Sequence, residues 1–385
     1  MAVPAPAQHL QFARPNWMEV DAAAISHNIG ELRRLAGAGT RLFITLKGNA
    51  CGFDTAKAAA TAVAAGADAV ATVDLGDAIA IRDVGLLAPL LLFGGNLLTH
   101  DVVAAIERFG IMPSLHDRHS LESLIKWRTR PVKVFVEVNV GGERLGVDVG
   151  EVLRFVHEVA STPGLALEGV HAHMYVPDGP DGDALVQWQY ERFTAVLREI
   201  ESQGIDVPVR MIASSKTLVR TVDMNLDAID PGHLAFGLLP TPSIAVVMDL
   251  RPAFRSLKSR LVTVRKVTRD RDLDRMPFPA RHGMRFGVIP FGASDRLKQL
   301  TCGSVLVRGR RVPLLGSPAA EHARMDLTDV PDAEVGDEVV IIGRQESTEI
   351  TLDEVCRAQG GVRPSDITRA IPAGIPRRYT EHSAS

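Results

Sequence analysis

The stretch Arg41-Leu-Phe-Ile-Thr-Leu-Lys-Gly-Asn-Ala-Cys-Gly-Phe-Asp54 joins an apolar run to a lysine and then to a turn of small residues. Leu42 to Leu46 read as a buried parallel strand, apolar almost throughout and closed by turn formers. That places Lys47 at the carboxyl end of a core strand, where an unpaired ammonium is costly to bury. An amine held there sheds its proton more readily than a solvated lysine and becomes a nucleophile able to form a Schiff base. The same spacing also describes a strand-end lysine that points to water, and this segment alone leaves both readings open.

Outward from this stretch, between about residues 21 and 240, helical patterns alternate with short apolar runs. Asp21 stands where an N-cap would, and Ile25, Ile29, Leu32 and Leu35 then share one helical face. Strands are expected near Leu42–Leu46, Ala69–Val73, Leu90–Phe93, Ile111–Leu115, Val132–Val140, Leu165–His171, Pro208–Ala213 and Ala228–Ile229. Between them, Thr55–Ala65, His100–Phe109, Val152–Ser161 and Ala184–Gln203 read as helices. Strands followed in this way by helices suggest an α/β fold, a (β/α)₈ barrel of the TIM type rather than an open sheet, over residues 21–245. Such barrels carry their active sites at the carboxyl ends of the strands, where Lys47, Arg144, His173, Ser215 and Asp230 would converge. After about Leu250 the pattern changes to short β-branched runs, Leu261–Val267, Gly303–Val307, Arg311–Leu315 and Glu338–Ile342, so residues 246–385 read as a mostly β domain.

Bulk composition narrows the function classes. A chain of 385 residues exceeds what one hydrophobic core usually supports, which agrees with two domains. A net charge of −3 gives no reason to expect a nucleic-acid partner. No run approaches the 18 apolar residues a membrane span requires, and the first residues lack the basic start and apolar core of a signal peptide. Cys51, Cys302 and Cys356 show no CxxC spacing. They point to a reducing cytoplasm and away from a metal site or a disulfide framework.

Other segments follow Lys47 in order: Glu143-Arg-Leu-Gly146, Gly169-Val-His-Ala-His173, Asp230-Pro-Gly-His-Leu-Ala-Phe-Gly237, Arg311-Val-Pro-Leu-Leu-Gly316 and Asp326-Leu-Thr-Asp-Val-Pro331, with Trp17-Met-Glu-Val-Asp21 before it. Together, from about Trp17 to Tyr379, they resemble the alanine racemase family, fold-type-III enzymes that use pyridoxal 5'-phosphate. The resemblance implies that the strand within residues 1–20 joins the β domain. It also implies a homodimer whose sites are completed by the partner's C-terminal domain, acting on a small amino acid. Lys47 is implied as the cofactor lysine, Arg144 and His173 as residues beside the cofactor ring, and Ser214, Ser215, Gly232 and His233 as the phosphate cradle. A glycine there permits close backbone approach, and loop amides favour an anion. Ser215 also reads as a helix N-cap ahead of Lys216-Thr-Leu-Val. Glu137 takes the place of a family lysine that is often carbamylated, so a carboxylate can pair with Arg144, although a purely structural pair reads the same way. His171 is set aside as facing the opposite way from His173.

Two departures separate this chain from the family pattern. The family's arginine against the pyridine nitrogen is Asp230 here, a residue type that resembles the one used by fold-type-III decarboxylases; a turn aspartate before proline is the plain alternative. The chain has only three tyrosines, Tyr175, Tyr190 and Tyr379. None matches the partner tyrosine expected near Asp274–Phe278. Cys51 and Ser365 replace two tyrosines that lie near the cofactor in the family, and Ala320-Glu321 replaces the entrance Met-Asp pair. Asp274, His282, Cys51 and His173 are therefore all open as a second proton donor, although Cys51 reads more readily as a small buried residue beside the cofactor than as a base. The expectation is a racemase or epimerase acting at the α-carbon of an amino acid, with a decarboxylase, aldolase or β-eliminating lyase as the alternative.

Overall fold

Eight short strands run parallel and close on themselves: Arg41–Thr45, Ala69–Thr72, Leu90–Leu92, Met112–Leu115, Val132–Asn139, Leu165–Ala172, Arg210–Ala213 and Ala228–Ile229. Each pairs with the next, and the last returns to pair with the first. This computed structural model describes residues 14–177, 182–218, 224–239, 248–268 and 276–380. The strands are buried on both faces because helices cover the outside, so their sequences are apolar with little alternation.

Inside the barrel, Phe43, Ala69, Leu91, Phe93, Met112, Phe135, Val209 and Met211 pack as one cluster. Gly169 makes room for the largest of these: a Cβ there would stand 2.5 Å from the Phe135 ring and 2.5 Å from the Val209 carbonyl oxygen. Alternation then fixes which later side chains face inward. Phe43 points inward, so Thr45 and Lys47 follow on that face, and Phe135 likewise sets the direction of Glu137.

Two helices beyond those expected flank the barrel, Leu75–Asp83 and Arg118–Trp127. The second opens with a capping box, in which Asp117 accepts from the Ser120 N–H. The expected helix at Ala184–Gln203 runs from Gly182 to Ser202. Helix His100–Phe109 ends on Gly110, whose φ of 59° is the left-handed cap that glycine adopts without strain.

The chain divides into two compact units, one formed by Ala24–Ala50 and Thr55–Arg251 and the other by the remainder, which includes Cys51–Asp54. In the second unit the sheet runs Arg310–Pro313, Ser304–Val307, Glu338–Gln345, Phe254–Arg260, Trp17–Asp21 and Arg377–Thr380. Trp17–Asp21 lies antiparallel to Phe254–Arg260 and parallel to Arg377–Thr380. A smaller sheet joins Thr263–Lys266, Arg285–Ile289 and Ala323–Asp326. The run Leu261–Val267, expected as one strand, thus lies beyond the end of one strand at Arg260 and contributes Thr263–Lys266 to a different sheet. Among the described residues, no helix is long and apolar enough to cross a membrane.

Candidate active site

Directly after the first barrel strand the backbone turns left-handed. Gly48, Asn49 and Ala50 have φ of 61°, 53° and 53°, and Cys51 follows at 55°. For a non-glycine residue this costs about 1–2 kcal/mol, and strain of this kind concentrates at functional sites. The Asn49 side chain helps to hold the turn by accepting from the Thr55 N–H at 3.1 Å. Lys47, at the base of the turn, has its Nζ 4.5 Å from the centroid of the Phe93 ring. Burial pulls its pKa below the usual lysine value; Arg144 lowers it further, while Asp230 and Glu137 oppose the shift.

Charged and polar groups from the other strand ends surround this amine. Asp230 follows the eighth strand and is 6% exposed. Burial pushes its carboxyl up to about 7, against the pull of Lys47 and Arg144. His173 Nδ1 lies 3.9 Å from Asp230 Oδ2. Burial, with Lys47 and Arg144 nearby, brings His173 down to about 3, so its imidazole is neutral at pH 7. Glu137 is buried, and its carboxyl is pushed up by desolvation while Arg144, His116 and Lys47 pull it back. Gly94 leaves space for these groups: a Cβ there would meet His116 Nδ1 at 2.9 Å and Glu137 Oε2 at 3.2 Å.

The loops after the seventh and eighth strands meet through one hydrogen bond, from the Gly232 N–H to Ser215 Oγ at 3.0 Å. In barrels of this class those two loops commonly bind phosphate. A Cβ on Gly232 would come within 3.0 Å of the Thr45 carbonyl oxygen, so only glycine fits without a shift. Ser215 is the first residue of the short helix Ser215–Leu218, and its hydroxyl serves Gly232 rather than capping that helix. Ser214 is held in the preceding turn, its N–H donating to Thr217 Oγ1 at 2.7 Å. His233 opens the 3₁₀ turn His233–Phe236, which closes on Gly237.

The structure corrects two expectations. Residues two apart on a strand share a face, so His171 points into the barrel with His173. It exchanges a hydrogen bond of 2.7 Å with Ser114 Oγ and stacks edge-on against Phe93. Glu137 and Arg144 influence each other electrostatically but form no ion pair among the described residues, where Arg144 is exposed and makes no hydrogen bond.

Cys51 and Ser365 belong to the other unit, where Arg369 brings them together. Arg369 Nη2 donates to Ser365 Oγ at 3.4 Å and also hydrogen-bonds Cys51, whose thiol is pushed up by burial. Glu321 is ion-paired to Arg14 at 3.0 Å. Phe278 packs on Phe286, while Asp274 lies outside the described residues. Tyr379 donates its hydroxyl to the Phe53 carbonyl at 2.7 Å.

Comparison with known proteins covers nearly the whole chain. Residues 20–240 match the model of the alanine racemase N-terminal domain, and residues 254–379 that of the C-terminal domain. The chain belongs to the alanine racemase family. It is 28% identical to alanine racemase 2 of Caldanaerobacter subterraneus subsp. tengcongensis over 95% of both chains. With the alanine racemase of Desulfosudis oleivorans it shares 29% identity, covering 96% of this chain and 97% of that one. The structure of the biosynthetic alanine racemase from Pseudomonas aeruginosa is similar, at 25% identity and a TM-score of 0.72, over 96% of this chain and 100% of that one. The alanine racemase of Bacillus anthracis shares the fold at a TM-score of 0.81, with 24% identity over 98% of this chain and 96% of that one.

As a member of the alanine racemase family the protein is an enzyme, a racemase by descent. Sequence reasoning overlooked four groups around its lysine: Thr45, Phe93, His116 and Ser114. Each sits on a barrel strand or one residue beyond it, at inward positions that alternation from Phe43, Leu91, Met112 and Phe135 would have marked.

Proposed function

We propose that the protein is a pyridoxal-phosphate-dependent racemase or epimerase acting at the α-carbon of an amino acid. The observation that carries this reading is Lys47, a half-buried amine of lowered pKa at the first strand end, in the same barrel mouth as the Gly232 N–H that donates to Ser215 Oγ. The donor set suits pyridoxal phosphate: a nucleophilic amine, a Pro-Gly turn seated closely on the first strand beside the Ser215 hydroxyl, and a carboxyl able to hold or release a proton near neutrality. When bound, this cofactor supplies an aldehyde for the amine and a ring that withdraws electrons from the α-carbon.

Each side chain then has a defined task. Lys47 Nζ, readily deprotonated, takes and returns a proton on one face. Asp230, which resembles the acidic residue of the fold-type-III decarboxylases, holds a proton at its carboxyl for the ring nitrogen. His173, kept neutral, can accept a hydrogen bond beside Asp230 without adding charge. Ser215, Gly232 and His233 would hold the phosphate, and Arg144 would supply a positive charge at the mouth. Exposed apolar side chains on the mouth loops, among them Leu97 at 72% and Tyr175 at 60%, support a homodimer with this face covered.

A second reading is favoured by Asp230 together with the shortage of tyrosines: a one-faced reaction such as decarboxylation, retro-aldol cleavage or β-elimination. Borohydride reduction of the cofactor-loaded protein, followed by peptide mapping, is expected to place the pyridoxyl group on Lys47; its appearance elsewhere would refute the assignment. Incubation with L-, D- and β-hydroxy amino acids in deuterated water then separates the two reactions. Solvent deuterium at the α-carbon with inversion supports racemisation. Carbon dioxide, an aldehyde or a keto acid supports the alternative.

A further inference from the structure

We propose that the Thr45 hydroxyl is an additional ligand for the cofactor's phosphate. This rests on the reading of the barrel mouth as a pyridoxal-phosphate site. Thr45 lies on the inward face of the first strand, two residues before Lys47. Its N–H donates to the Pro231 carbonyl at 2.9 Å. Its Cβ lies 3.6 Å from the point where a Gly232 Cβ would stand. Its methyl carbon follows at 3.8 Å, so the methyl is what packs against the glycine whose N–H meets Ser215, and the hydroxyl is the branch of the side chain left over from that contact.

Thr45 is 6% exposed, and its Oγ1 has no hydrogen-bond partner among the described residues. A buried hydroxyl left unmade is destabilising, whereas valine would fill the same space with the same preference for a strand. Packing therefore gives no reason for the oxygen. A ligand does. Ser215 Oγ already accepts from Gly232, which leaves its own proton free to donate. Lys216, next in the chain, places its Nζ on the Val176 carbonyl at 3.1 Å. An anion at this cradle would thus be met by hydroxyl and amide protons, and Thr45 adds a further one.

The test compares wild type, Thr45→Val and Thr45→Ser as cofactor-free proteins, titrated separately with pyridoxal phosphate, pyridoxal and inorganic phosphate. A hydrogen bond to a charged group predicts that Thr45→Val weakens pyridoxal phosphate and inorganic phosphate by about tenfold. Pyridoxal, which lacks the phosphate, should bind Thr45→Val and wild type equally, and Thr45→Ser should retain most of the phosphate affinity. The thermal midpoint of cofactor-free Thr45→Val should not fall, because the substitution removes an unpaired buried oxygen. Unchanged phosphate binding in Thr45→Val, an equal loss of pyridoxal, or a lowered midpoint would each overturn the proposal and leave the cofactor assignment standing. Failure of the wild type to take up pyridoxal phosphate would overturn both.

Discussion

Asp230→Asn isolates the cost of keeping a carboxyl in the barrel mouth. The Asp230 pKa stands at about 7, against 3.8 for the free group, with desolvation as the largest cause. At pH 5 the unfolded chain has lost this proton while the folded protein keeps it. The folded state then binds more protons, so stability is highest at low pH and falls as the pH rises through the folded pKa. At 1.36 kcal/mol per unit, less the half-titration of the folded group at its own pKa, the fall between pH 5 and 7 is about 2 kcal/mol, and it approaches about 3 by pH 8. Asparagine keeps the shape and cannot ionise, so it removes this slope. Urea unfolding of the cofactor-free protein at pH 5, 6, 7 and 8 should show the variant gaining about 3 kcal/mol on wild type across the series. An advantage that does not change with pH, or a variant that loses ground above pH 7, would refute the reasoning.

Other consequences can be checked separately. In the cofactor-free protein, acylation of Lys47 by a small amine reagent should titrate below the ordinary lysine range because burial lowers its pKa; a midpoint at 10.5 or above contradicts this. His171 and His173, both brought down to about 3 chiefly by burial, should show no ring titration between pH 5 and 8 by NMR. Because both pKa values are depressed, the stability they contribute is present above pH 6.5 and is lost progressively as acid is added. Gly52→Ala should cost about 3 kcal/mol or more, since Gly52 has φ +93° and a Cβ would lie 2.1 Å from the Thr368 carbonyl oxygen. An unchanged thermal midpoint would count against that packing.

The barrel was legible because each of its strands is buried on both faces, so the chain writes it as an apolar run between turns. The second unit was less so. Phe254–Arg260 hides its inward face behind serines: Ser256 donates to Glu19 and Ser259 to Asn16, so buried positions look polar. Ala323–Asp326 has only two buried residues from which to read a period. In the site, Lys47 and the Pro-Gly turn stood out by motif, and Asp230 by its contrast with the family. The left-handed run after Lys47 was invisible because Asn49, Ala50 and Cys51 are not glycines. His171 was misplaced by an error of alternation, not by any lack of signal. Arg369 carries no motif, and its meeting with Cys51 and Ser365 is created by folding across more than three hundred residues.

Two residues shortly beyond Lys47, Gly52 and Phe53, have late partners. The Gly52 carbonyl accepts from Arg377, 325 residues further along, and the Phe53 carbonyl from Tyr379. On a ribosome adding about 5–20 residues per second, that delay is roughly 15–65 s. Throughout that interval the segment following Lys47 is held only locally, by the Asn49 side chain on the Thr55 N–H. A chain cut short before Arg377 would keep every barrel strand and the Arg369 contact to Cys51, and would lack the two hydrogen bonds that hold the Gly52 and Phe53 carbonyls.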